Sequence, residues 1–282
     1  MKKLFTLILF FSLINRVFAQ EQDLTKTEDS IVNEGRTLYK SEWASWYGSD
    51  IFNAKCKSRR AISSGYISYD NGKGLTNIFF SKDAVVLATI SFGYDFNSDN
   101  YKLDTVDRKL TSFEKQLYTI RQSAISELYK DTLFKTYKNT SLNPIPIIGN
   151  NTRKVYVLTG THLNGVVIFG NDYLIDFDQN NNIINKKSLH KSIIPIYTAK
   201  DTIGTTTFHT HLPETGDFIT PTDICTLLLY EKLTKWSQHF VRSKDYISIW
   251  DCKKNTLLIM TMVAIRRIEE SQKQLKESRK KN

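Results

Sequence analysis

Two histidines one residue apart, His209 and His211, stand in the segment Phe208-His209-Thr210-His211-Leu212-Pro213-Glu214, and Thr220-Pro221-Thr222-Asp223 follows after a short loop. On an extended strand side chains alternate with a period of two, so the two imidazoles project to one face. Imidazole nitrogens and carboxylate oxygens are zinc ligands, and three protein donors leave the fourth tetrahedral position to water. A carboxylate in the first turn of the next helix reaches back across such a loop. His209, His211 and Asp223 are therefore a candidate metal set, with zinc as the cofactor. The same run also starts a helix without any metal. Thr220 is a good N-cap, Pro221 suits the first position, and Asp223 sits where the helix dipole favours an acid.

This arrangement resembles the JAMM, or MPN, metalloprotease motif: HxH, seven residues, Ser, two residues, Asp. Here eight residues separate His211 from Thr220, and Thr stands in place of Ser. The order of elements is also similar: a long helix, several strands, the HxH strand, a helix opening with the acid, then two strands. The resemblance implies a JAMM-like α/β sandwich in which His209, His211 and Asp223 hold zinc and Thr220 stabilises the oxyanion, with peptide or isopeptide hydrolysis as the activity. In that family a Glu just before a GxLxG strand activates the metal-bound water. This chain has no Glu between Leu128 and Pro213, and Arg153 or Leu163 falls near the family position, depending on which of Gly160 and Gly170 is aligned. Glu127 and Glu214 remain as candidate bases by a different geometry. The alternative reading is a non-catalytic exported binding protein of JAMM-like fold in which the His pair is structural. The resemblance spans Thr152 to Met260, and the whole chain also resembles exported bacterial proteins to which no activity is assigned.

The elements that must position these residues give an α+β chain. Residues 20–48 carry Leu24, Ile31, Leu38, Trp43 and Trp46 in a loose helical pattern. Trp43, Trp46 and Tyr47 read as the face that packs this helix on a sheet, with a binding face as the alternative. Ile62–Tyr69, Leu75–Phe80 and Ala84–Phe92 read as strands of a small antiparallel sheet, with a hairpin turn at Asp70-Asn71-Gly72-Lys73-Gly74. Thr111-Ser112-Phe113-Glu114 is a capping box that opens a long helix with Phe113, Leu117, Ile120, Ala124, Leu128 and Phe134 at helical spacing. Asn143-Pro144-Ile145-Pro146 predicts a connection over about 139–152. Strands are expected at Lys154–Thr159, Val166–Phe169, Tyr173–Asp178, Ile193–Tyr197 and into His209, then a helix over Ile224–Trp236 and strands at Tyr246–Trp250 and Thr256–Met260. The boundaries that follow are a signal segment (1–19), an N-terminal helix and sheet region (20–110), a JAMM-like domain with its leading helix (111–262) and a basic tail (263–282).

Met1-Lys2-Lys3, the uncharged run Leu4–Ile14 and Val17-Phe18-Ala19 before Gln20 have the order of a cleavable secretory signal, so the product is expected to be periplasmic or secreted and to carry no membrane span. Removal of Lys2, Lys3 and Arg16 lowers the net charge from +10 to +7. Much of that excess lies in the tail after Ile265, which reads as an exposed helix or frayed end. The charge therefore carries no strong nucleic-acid signal, and a peptide or cell-envelope component is the partner class considered. Cys56, Cys225 and Cys252 lack a CxxC spacing, and any pairing among them is open. His162, His190 and His239 lack partners at ligand spacing and read as solvated or core-edge residues.

Overall fold

The computed structural model describes the backbone of residues 2–149, 151–198 and 204–281, and the side chains of residues 23–149, 151–198 and 204–279. The signal segment expected at Met1–Ala19 lies outside these described side chains. The chain is α+β and divides into two units, one of Gly35–Ile203 with Thr220–Lys235 and one of Met1–Glu34, Gly204–Ile219 and Trp236–Asn282.

The larger unit begins in helix α1 (Lys2–Lys55), of which residues from Gly35 onward belong to it. Next come β1 (Ser63–Asp70), β2 (Leu75–Ser81), β3 (Val85–Phe92), β4 (Tyr101–Asp104) and β5 (Arg108–Lys109), an antiparallel sheet in the order β1-β2-β3-β4 with β5 also on β3. The Asp70–Gly74 turn forms as expected, with Asp70 and Asn71 carboxylate and amide oxygens accepting from the Gly72 and Lys73 N–H groups. Trp43, Ala44 and Phe52 of α1 pack against Leu75, Phe79, Ala88, Ile90 and Phe92. Gly48 permits this close approach, because a Cβ there would fall 2.2 Å from Asn77 Oδ1.

Helix α2 (Ser112–Lys130) opens with the expected capping box, and Phe134 falls beyond its end while still entering the core. Leu117 packs with Ile67, Ile78, Phe80 and Val86 of the first sheet. Ile120 and Ala124 pack with Val155, Val157, Tyr173, Ile175 and Phe177 of a second. Each such buried side chain contributes about 1.5–3 kcal/mol, so α2 binds two sheets into one unit. The second sheet is β10-β9-β7-β6, from β6 (Thr140–Ile148), β7 (Arg153–Thr161), β9 (Tyr173–Phe177) and β10 (Ile183–Ser188), while β8 (Val166–Gly170) pairs with β11 (Ile193–Tyr197). The connection expected over 139–152 is largely strand β6. Pro144 and Pro146 are tolerated because β6 is an edge strand, and two residues apart their missing donors fall on the same side. Helix α3 (Pro221–Thr234) completes this unit and buries Ile224, Cys225 and Leu227.

In the smaller unit, β12 (Thr206–Thr210), β13 (Gln238–Arg242), β14 (Tyr246–Asp251) and β15 (Thr256–Thr261) form one sheet in chain order, β12 and β13 parallel and the rest antiparallel. Three strands follow α3 where two were expected. The missed strand, β13, is short and half polar, and only its buried His239 and Val241 reveal the alternation. Helix α4 (Met262–Lys281) is mostly exposed, as read from its charges. Cys56, Cys225 and Cys252 are all buried. Among the described residues no helix is long and apolar enough to cross a membrane.

Glu114 is fully buried and accepts bonds from Nη1 and Nη2 of Arg108 (2.7 Å each), the Thr111 N–H (2.7 Å) and the Tyr69 hydroxyl (2.8 Å). Burial opposes its charge, but these donors outweigh burial and hold the carboxyl at about 2, below its ordinary 4.5. A carboxylate held low stabilises the fold above its unfolded value and loses that contribution as pH falls toward the folded one. Acid unfolding followed by circular dichroism should therefore show stability falling between pH 4.5 and about 2. Glu114→Gln should remove that part of the slope and lower stability at neutral pH by about 2 kcal/mol. Deletion from Ile265 onward should move the melting temperature by no more than about 2 °C, because exposed termini contribute few buried contacts.

Candidate metal centre

His209 lies in β12, and His211 follows the strand end with its N–H donating to the Arg242 carbonyl at 2.9 Å. Period-two alternation places both imidazoles on the buried face, 3 % and 5 % exposed, while Phe208 between successive inward positions is 72 % exposed. Their Nε2 atoms stand 3.1 Å apart, as the HxH reading required. His209 Nδ1 faces His239 Nε2 at 2.9 Å, and His239 Nδ1 faces Thr207 Oγ1 at 2.8 Å. The parallel register sets Thr207 opposite His239, which brings the third ring into line. His239 is fully buried, so its reading as a solvated or core-edge residue is corrected. The missing signal was the unrecognised strand β13.

In the larger unit, Thr220 caps α3 and Asp223 completes the capping box, so the metal-free helix start is present in full. Asp223 Oδ2 accepts from the Thr220 N–H (2.9 Å) and the Thr220 hydroxyl (2.7 Å). That hydroxyl also lies 2.9 Å from Thr222 Oγ1. Thr220, read as an oxyanion partner, thus directs its proton at Asp223. Asp223 Oδ1 faces His190 Nε2 at 3.3 Å, and His190 Nδ1 faces Asp172 Oδ2 at 3.8 Å. The Thr159 N–H donates to Asp172 Oδ1 at 2.9 Å, and the Thr222 hydroxyl bonds Asp172 as well.

His190 is 3 % exposed, which corrects its solvated reading too. Nothing in the Leu189-His190-Lys191 loop marked it, since its partners come from elsewhere in the chain. Gly170 makes room for it. At φ +80°, Gly170 turns where an added Cβ would fall 2.4 Å from the Ser192 carbonyl and 3.3 Å from His190 Cβ.

Burial lowers the affinity of His190 for a proton, yet the charge and hydrogen bond of Asp223 and the charge of Asp172 outweigh it and raise its pKa. Burial pushes Asp172 up to about 7 against the pull of His190 and the Thr159 N–H.

His209 and His211 in the smaller unit and His190 and Asp223 in the larger are all buried, and each offers an atom of a type that can bind a metal ion. The candidate bases are not among these donors. Glu127 Oε2 pairs with Lys186 Nζ at 2.7 Å, and Lys186 also pairs with Asp131. Glu214 is exposed in the 3₁₀ turn Pro213–Thr215.

His239→Leu removes the ring that bonds both His209 and Thr207. It should lower the unfolding free energy, measured in urea, by about 1–3 kcal/mol, the cost of stranding buried polar groups. Comparisons with protein-family models, curated proteins and solved structures find no match to this chain.

Proposed function

We propose that the chain is an exported protein that holds one transition-metal ion, zinc by the chemistry of its donors, through His190, His209, His211 and Asp223. The observation that carries this reading is the buried His209 and His211 pair, whose Nε2 atoms face each other from one strand end. Zinc takes four nitrogen and oxygen ligands at about 2.0–2.2 Å in a tetrahedron, whose edges are then roughly 3.3 Å. The 3.1 Å between His209 and His211 Nε2 is close to such an edge. With Nε2 of His209 as ligand, its Nδ1–H donates to His239, and His239 Nδ1–H donates to Thr207, which fixes both tautomers.

Four protein donors fill a tetrahedron, which favours a holding site over a hydrolytic one. Export rests on the Met1–Ala19 segment, whose basic, apolar and small-residue order suits a signal peptidase.

Asp172 favours a second reading, the peptide or isopeptide hydrolase that the JAMM resemblance implies, with His209, His211 and Asp223 as ligands. A bound zinc ion supplies Lewis acidity and lowers the pKa of its water. Asp172, raised to about 7 and 3.8 Å from His190, would then hold the proton in place of the missing Glu.

The chain from Gln20 onward, purified and dialysed, should retain about one zinc per molecule by elemental analysis and melt several degrees higher with zinc than with chelator. His209→Ala, His211→Ala and Asp223→Asn should each weaken zinc binding at least about 100-fold, Asn being chosen because its oxygen still caps α3. His190→Ala separates the readings. The holding site predicts a comparable loss of metal. The hydrolase predicts retained metal, with cleavage of fluorogenic peptides in the parent and none in the variant. Wild-type protein that takes up no zinc would refute both.

A further inference from the structure

A second polar constellation lies in the larger unit, and none of its residues is a proposed metal ligand. It is a cleft of about 290 Å³ between the Gly35–Lys55 part of α1, the β6 and β7 strands and α3. Its floor holds Glu42, Asn143 and Tyr66, and Thr159, Trp46 and Tyr230 also line it. Asn143 Nδ2 donates to Glu42 Oε2 at 2.7 Å, and the Tyr66 hydroxyl donates to Asn143 Oδ1 at 3.3 Å. Among the described residues Glu42 makes no other hydrogen bond, so its Oε1 still has accepting capacity in the cleft.

Trp46 is 42 % exposed although it is the largest apolar side chain there, and its ring meets Tyr230 edge to face at 5.7 Å. Helix packing explains the buried Trp43 and leaves Trp46 unexplained. An exposed aromatic plane beside a small set of converging polar groups is the composition of a ligand pocket.

The charges select the class of ligand. Arg121 lies over the Tyr66 ring at 5.5 Å and is the cation that acts on Glu42. A bound cation would face Arg121 and a bound anion would face Glu42, so neither charge sign is favoured. A neutral molecule with several hydroxyls satisfies the same groups without an uncompensated charge. Burial also pushes the Glu42 carboxyl up to about 7 against the pull of Asn143 and Arg121, so near neutrality it offers a donor as well as an acceptor.

We infer that this cleft binds a neutral sugar ring, whose C–H face lies on Trp46 and whose hydroxyls bond Glu42 and Asn143. The chain from Gln20 onward is titrated calorimetrically with glucose, galactose, mannose and N-acetylglucosamine, with lysine and acetate as charged probes. At least one sugar should bind saturably with Kd in the range of about 0.1–10 mM, and neither charged probe should compete. Trp46→Ala should weaken that sugar about tenfold or more with an unchanged thermal transition, because an exposed side chain contributes little to the fold. Glu42→Gln should keep affinity within about threefold, since an amide still donates and accepts. Binding weaker than about 50 mM for all four sugars, preferential binding of lysine or acetate, wild-type affinity in Trp46→Ala, or loss of binding in Glu42→Gln would each overturn the assignment.

Discussion

Taking the Asp223 carboxylate wholly out of water costs several kcal/mol unless its oxygens are matched, and the local structure around it is arranged to meet that cost. Its Oδ2 is satisfied by the backbone and hydroxyl of Thr220 in the same turn. The cap that starts α3 is therefore also what orients the acid, with Oδ1 turned to His190. Burial opposes a charge on His190, and Asp223 and Asp172 outweigh that opposition. Asp172 is held by Thr159 and Thr222, and Gly170 leaves the space that His190 fills. Each buried polar group is made tolerable by the next, and removing one strands its neighbour.

The histidine line in the sheet solves the same problem with neutral groups. An imidazole carries one donor and one acceptor, so His209 and His239 can pass a hydrogen bond along to Thr207 with no net charge. Such a chain is polar enough to fix ring orientation and cheap enough to sit in a strand interior. It needs the parallel β12–β13 register, since a slip of one residue would turn His239 to the opposite face.

The parts of this architecture written in neighbouring residues were legible in the sequence. The capping boxes at Thr111–Glu114 and Thr220–Asp223, the Asp70–Gly74 hairpin and the shared face of His209 and His211 each depend on contacts a few residues apart. His190 and His239 were not legible as site residues, because their partners lie at large separations: His190 meets Asp223 from another loop, and His239 meets His209 across a strand pair. Strand β6 was hidden by its prolines, which argue against a strand unless its edge position is already known. Glu42 and Asn143 are separated by 101 residues, and nothing local to either announces the bond.

The metal centre and the cleft differ most in how their charges balance. Around the donor group two carboxylates, Asp172 and Asp223, face imidazoles that are neutral unless protonated, and the chain answers the excess by drawing protons toward Asp172 and His190. A divalent cation would neutralise the same excess and release those protons, so metal affinity should rise with pH through the neutral range. In the cleft, burial raises Glu42 to about 7 against the pull of Asn143 and Arg121, so near neutrality only part of its charge is present for an ion to neutralise. A group of buried carboxylates outnumbering fixed cations suits the proposed metal. A single buried carboxyl that shares its proton near neutrality and already bonds Asn143 offers hydrogen bonds instead, and that difference separates the two ligand classes assigned to one chain.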